Sequence, residues 1–175
     1  MKQLRHLLPI VVFTAILGSG NPAFAVTKAE IGKRMLELKF VTINGQKIDT
    51  TRLKGKVVMI DIWATWCPPC RMEIPHLQKL YDSYKGRGFR LIGVSLGEGK
   101  EKPANYARDA KLNYDIAYTN PKEAAALGAK LDVGSIPSTY LIDKKGILRL
   151  VEVGFNEDKT PAKLEESVKR LLAAK

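Results

Sequence analysis

One stretch constrains this chain more than any other: "KVVMIDIWA", Lys56 to Ala64, is apolar on both alternating faces except at Asp61. A strand that hides both faces belongs in the middle of a sheet covered on each side, as parallel α/β arrangements provide. A helix is expected from about Pro68, with Ile74, Leu77, Leu80, Tyr81 and Tyr84 on one side, stopping at Gly86 and Gly88. "FRLIGVSL", Phe89 to Leu96, reads as a second buried strand. Strand, helix, strand is the parallel crossover of an α/β fold.

Other segments add to that unit. "ELKFVTINGQKID", Glu37 to Asp49, holds two short extended pieces around Asn44-Gly45, a two-residue hairpin signal. A polar helix near Pro103 to Lys111, a short strand near Asp115 to Tyr118 and a small helix near Lys122 to Gly128 follow. "STYLIDKKGILRLVEVG", Ser138 to Gly154, reads as an antiparallel hairpin turning at Lys144-Lys145-Gly146, before a last amphipathic helix from about Pro161 to Ala173. There is no repeat, low-complexity tract or interdomain linker. The expected fold is α/β, a mixed central sheet with helices on both faces.

The N-terminus predicts export. Lys2 and Arg5 precede an apolar run from Leu7 to Leu17, and Ala23-Phe24-Ala25 has the small-x-small pattern that a signal peptidase cuts after. The run is about a dozen residues, short of the roughly 20 that a membrane span requires. Residues 1–25 are therefore expected to be a signal peptide and residues 26–175 one domain, soluble in the periplasm or otherwise exported. Cleavage lowers the formal net charge from +11 to +9. Lys and Arg are scattered without aromatic interleaving, so nucleic acid is not an expected partner, and the charge suits acidic partners or a membrane surface. "GVSLGEGKE", Gly93 to Glu101, is no phosphate loop: Val94 holds the first glycine's place and Glu101 the hydroxyl's.

Cys67 and Cys70, in "WATWCPPC", are the chain's two cysteines, at the strand's C-terminal end where the helix begins. Ligands and chemistry collect at such ends in α/β sheets. A structural disulfide over so short a loop stabilises by only roughly 2 kcal/mol. A zinc site requires about four ligands, whereas residues 26–175 offer one CxxC and His76. Haem attachment requires CxxCH, and residue 71 is arginine. A redox pair fits best, since unpaired N–H groups and the helix dipole favour thiolate at Cys67. Pro68 suits the first helical position. Cys70, one turn further in, lacks that field and is expected to be more buried. Cys67 is then the exposed, attacking sulfur and Cys70 the one that resolves the mixed disulfide.

"VVMIDIWATWCPPCRMEIP" resembles the active-site segment of the thioredoxin superfamily. The leader, the hairpin before "LKGKVV", the helix and strand between Glu101 and Asn120, and "VGSIPSTYLID" narrow the resemblance to exported TlpA/ResA-like thiol:disulfide oxidoreductases, over about Gly32 to Ala173. It implies a thioredoxin-like fold with an N-terminal β-hairpin and a central helix-strand insertion. It also implies that Ile136-Pro137 is the cis-proline loop facing the CxxC, where substrate backbone pairs, and that Trp66 flanks the site, with Pro68 and Pro69 in contact with substrate. Trp63 is expected in the core. Asp61 matches the buried acid of thioredoxin proper, where many TlpA-like chains carry a neutral amide; desolvation there suits it to take the Cys70 proton. The bland alternative is an Asp paired with a nearby lysine. Glu98 resembles a glutamate placed near the CxxC in ResA-like proteins and shares the base role, unless it is an exposed loop acid.

The expected enzyme needs no cofactor or metal, acts as a monomer on protein disulfides or dithiols, and is recharged by a membrane thiol donor. Negative charge at Asp61 and Glu98 opposes thiolate formation and points to a reductant. Disulfides of apocytochromes c or of copper-centre assembly proteins are the implied targets. Two other classes compete. A peroxiredoxin-like peroxidase places threonine three residues before its reactive cysteine, but Ala64 and Cys67 hold those places. A thiol pair also suits copper(I) or partner binding.

Overall fold

A computed structural model describes residues 29–174, and the expected leader lies outside them. The described elements are β1 (Lys39–Thr42), β2 (Lys47–Asp49), β3 (Val57–Trp63), α1 (Pro68–Tyr84), β4 (Phe89–Ser95), α2 (Glu101–Asp109), β5 (Asp115–Tyr118), α3 (Pro121–Leu131), β6 (Ser138–Ile142), β7 (Leu148–Val153) and α4 (Thr160–Ala173). The strands form one mixed sheet in the order β2-β1-β5-β4-β3-β6-β7. β3, β4 and β5 run parallel, and the remaining pairs are antiparallel.

Every residue of β3 is buried, as its double-sided apolar pattern requires. Met59 and Trp63 pack beneath α1, α2 and α4. Val58, Ile60 and Ile62 pack on the other face with Leu127 and Leu131 of α3. The α2–β5 insertion also attaches the N-terminal hairpin, because β5 lies between β4 and β1.

Asn44-Gly45 does not form the expected two-residue turn. Val41 faces Lys47, the Thr42 amide donates to the Gln46 carbonyl, and the Gly45 amide donates to the Thr42 carbonyl. That leaves the three-residue loop Ile43-Asn44-Gly45, with Gly45 at φ 80° in the left-handed position such loops require. The cause is tertiary: the Ile43 amide donates to the Ile116 carbonyl, holding Ile43 in line with the sheet. α1 begins at Pro68 as expected, whereas α2, α3 and α4 start one or two residues earlier than their patterns suggest. Pro103 falls inside the first turn of α2, where its missing N–H has no acceptor to lose. The Asn120 side chain caps α3 in a reciprocal box with Glu123.

One transverse row carries the chemistry. Ile116, Gly93, Asp61, Thr139 and Glu152 stand side by side across β5, β4, β3, β6 and β7. Residues level with one another on paired strands point to the same face, here the face beneath α1. At Gly93 the row has no room for a side chain: a Cβ there would meet Tyr114 at 3.1 Å and the Trp63 indole nitrogen at 3.2 Å. Gly93→Ala is expected to destabilise the fold by about 1–3 kcal/mol through overpacking. Urea unfolding should show a lower midpoint at unchanged slope, and an unchanged midpoint would refute the packing account.

Candidate active site

The turn between β3 and α1 places the cysteines. The Cys67 amide donates to the Ala64 carbonyl at 3.1 Å, and Cys67 becomes the N-cap of α1. Its sulfur accepts from the Cys70 amide at 3.3 Å, one of the helix's otherwise unpaired N–H groups. Pro68 opens the helix, as expected, and Cys67 and Cys70 are joined as a disulfide.

Glu98 fixes this turn from the side. Its carboxylate accepts from the Thr65 amide at 2.7 Å, the Thr65 hydroxyl at 2.5 Å and the Ser95 hydroxyl at 2.8 Å. It is half-buried, so it is not the exposed loop acid of the bland reading. Three donors already occupy its oxygens, which suits a clamp on the residues before Cys67 better than an acceptor for a thiol proton.

The Ile136-Pro137 peptide bond is cis. This loop faces the disulfide, with the Ile136 carbonyl oxygen 3.8 Å from the Cys67 sulfur. Trp66 is 66% exposed; with exposed Pro68 and half-buried Pro69 and Ile136 it gives the segments flanking the pair an apolar, partly exposed rim, while Pro137 is buried. Trp63 is fully buried, with its ring centroid 5.2 Å from that of Tyr106. One expectation fails. Cys67 is 2% exposed and Cys70 1%, so the oxidised sulfurs do not differ in exposure. The cis-proline loop covers Cys67, and the asymmetry lies instead in position, cap against helix interior.

Beneath the disulfide lies a group that the apolar pattern of α1 conceals. Glu73, one turn beyond Cys70, is 1% exposed and on the core side of the helix, between Cys70 and Ile74. It faces Asp61, also 1% exposed. The Thr139 hydroxyl lies between the two acids, 3.5 Å from Asp61 Oδ1 and 3.4 Å from Glu73 Oε1. The described ion pairs include none to Asp61, so its partners are a hydroxyl and a second carboxyl rather than a lysine. Helical spacing is the available signal: Glu73 falls at i+3 from Cys70 and i−4 from Leu77, a core position.

Two carboxylates in one dry site cannot both ionise cheaply. Burial pushes Asp61 up to about 7; burial and the Asp61 charge push Glu73 up to about 9. With one proton shared, Thr139 donates to the ionised acid and accepts from the protonated one, which satisfies both links. The pair is therefore a proton store that operates near neutral pH. Among the described residues, no group of three or more His, Cys, Asp or Glu converges to hold a metal.

Because both acids hold protons in the folded state that they lose when unfolded, the native protein binds more protons above about pH 4. Stability is then greatest below the unfolded values of 3.8 and 4.5 and falls as pH rises towards about 7 and about 9. Urea unfolding at pH 5 and pH 8 should differ by a few kcal/mol more in the native sequence than in Asp61→Asn or Glu73→Gln. Identical pH slopes in all three would exclude the shared-proton arrangement.

The chain matches the AhpC/TSA family over residues 31–151. It is 32% identical over 152 residues to a thiol-disulfide oxidoreductase ResA of Bacillus cereus, covering 83% of this chain and 86% of that one. It is 30% identical to ResA of Bacillus thuringiensis (strain Al Hakam), over 98% of this chain and 99% of the relative. Its fold superposes with a TM-score of 0.70 on a thiol:disulfide interchange protein of the thioredoxin family from Chlorobium tepidum TLS, at 29% identity over 81% of this chain and 97% of the other.

Proposed function

This chain belongs to the AhpC/TSA family and is a thioredoxin-like thiol-disulfide oxidoreductase of the ResA-like kind, and from that premise we propose that it is an exported reductant of selected protein disulfides. The observation that carries this reading is the buried acid pair beneath the disulfide, Asp61 and Glu73 on either side of Thr139.

Reduction begins at Cys67. Its thiolate, favoured by the N-terminal end of α1, attacks one sulfur of a substrate disulfide. The substrate S–S bond breaks, a mixed disulfide forms, and the first substrate thiolate leaves and takes a proton from solvent. Cys70 then gives its proton to the Asp61–Glu73 pair and attacks the Cys67 sulfur. The Cys67–Cys70 disulfide forms, and the second substrate thiolate departs. Two electrons have passed to the substrate, and a dithiol donor, placed at the membrane by this reading, restores the pair.

Trp66, Pro68, Pro69 and Ile136 are the contact surface in this scheme, and buried Pro137 fixes the backbone of Ile136, along which the substrate backbone lies. Glu98 acts as a positioning residue that holds Thr65 and hence the turn bearing Cys67. The signal-like pattern of residues 1–25 supports export. Disulfides of apocytochromes c or of copper-centre assembly proteins are the substrate classes that fit.

The direction follows from charge. A carboxyl pair under the cysteines raises the cost of holding thiolate there, which disfavours the reduced form and lowers the potential. Equilibration with glutathione buffers should leave the protein largely oxidised until the buffer is strongly reducing. A potential as oxidising as that of dedicated disulfide-forming enzymes would refute the reductant reading. The cysteine roles have their own test: Cys70→Ser should accumulate mixed disulfides with protein partners, and Cys67→Ser should lose exchange altogether. Exchange surviving in Cys67→Ser would reverse the assignment.

A further inference from the structure

The buried acid pair needs a way to trade protons with water, and the side that carries the disulfide is occupied by the cis-proline loop and, during reaction, by substrate. The structure offers another side. Glu73 Oε2 is buried and has no hydrogen-bond partner among the described residues. Glu73 also lines a groove of about 170 Å³ between α1 and α4, together with His76, Phe155, Pro161 and Glu165. None of Trp66, Pro68, Ile136 or Pro137 lines it.

Strand register brings one more carboxylate into the row that holds Asp61 and Thr139, beside the groove rather than lining it. Glu152 of β7 stands opposite Thr139, whose hydroxyl lies between Asp61 and Glu73. Its charge acts on Glu73 in the direction of proton uptake. Glu152 is paired with Lys163 of α4, and the two side chains are 19% and 50% exposed, so this acid bridges the interior and the solvent.

The other groups that face Glu73 suit the task less well. Asp61, from β3, is its buried partner. The Tyr114 hydroxyl, ahead of β5, is held in its protonated form by burial. His76, on the same helix, packs its ring 5.5 Å from that of Phe155. Glu165 of α4 accepts at one oxygen from both the Tyr84 hydroxyl and Lys169, and no strand register sets it beside Thr139 as it does Glu152.

We propose that Glu152, held by Lys163, is the proton outlet of the buried pair, so that the Cys70 proton passes by way of Asp61, Thr139 and Glu73 to solvent where β7 meets α4 rather than across the disulfide face. Per turnover the path carries the one proton that Cys70 gives up as its sulfur bonds to Cys67, and the departing substrate thiolate takes its own proton from bulk water. Electrons and substrate then use the apolar rim, and the proton leaves where β7 meets α4. The inference rests on the resolving role given to Cys70 above.

The test uses the reduced protein and an aromatic disulfide that releases one coloured thiolate at each step. In Glu152→Gln, at low buffer concentration and neutral pH, the second release should slow by about tenfold, a fraction of what general acid–base groups contribute. The first release should be unchanged. Added imidazole, a small diffusible proton carrier, should restore the second release in Glu152→Gln and have little effect on the native sequence. Lys163→Met should fall between the two. A second release as fast as native at low buffer, or a slow one that imidazole does not restore, would overturn the outlet. Asp61→Asn and Glu73→Gln separate the two claims: if they slow the second release while Glu152→Gln does not, only the outlet fails. If they too leave it unchanged, the acid pair's part in resolution fails with it.

Discussion

Burial of β3 on both faces is the constraint from which the rest of the site follows. A strand flanked by β4 and β6 and roofed by helices on each side delivers its C-terminal end to the edge of a dry interior. The chain must leave there, and it does so by turning directly into α1, with Cys67 as the cap. The same burial makes Asp61 expensive to ionise, and that expense makes it useful. A carboxyl in solvent would titrate near 4 and be of little use to a thiol. The fold that stabilises the strand also tunes its one acid.

Much of this is legible from residue order. The alternation of β3, the two cysteines at its end, Pro68 in the first turn and Ile136-Pro137 facing them all follow from local pattern or family resemblance, and the structure places them together. Glu73 escapes any reading that traces the core side of α1 through apolar residues alone, although its helical spacing marks the position. Thr139 and Glu152 are beyond reach for a different reason. Their meaning depends on strand register across β3, β6 and β7, and no local pattern fixes which residues stand level. The Asn44-Gly45 turn fails likewise, because a tertiary bond from Ile43 to Ile116 overrides a local preference.

Glu98 shows how proximity and role separate. The family resemblance places it close to the CxxC, and the structure keeps it close, but on the Thr65 side of the turn with its oxygens engaged by three donors. The acid able to exchange a proton is the one whose oxygens are not all engaged. Glu73 has one poorly satisfied oxygen and one without a partner among the described residues. Hydrogen-bond satisfaction therefore distinguishes a clamp from a base more sharply than distance to the sulfurs does.

The row from Gly93 to Glu152 also joins stability to reactivity. Asp61 and Glu73 cost the fold stability once pH passes the values at which the unfolded chain would ionise them, and that cost levels off only as the buried pair itself ionises, at about 7 and about 9. Thiol–disulfide exchange asks the same pair to accept a proton at the moment the Cys67–Cys70 bond closes. Closing the disulfide thus returns the acids to the protonated form that the interior prefers. This couples oxidation of the cysteines to relief of buried charge, and the coupling has the sign expected of a protein that readily gives up its electrons.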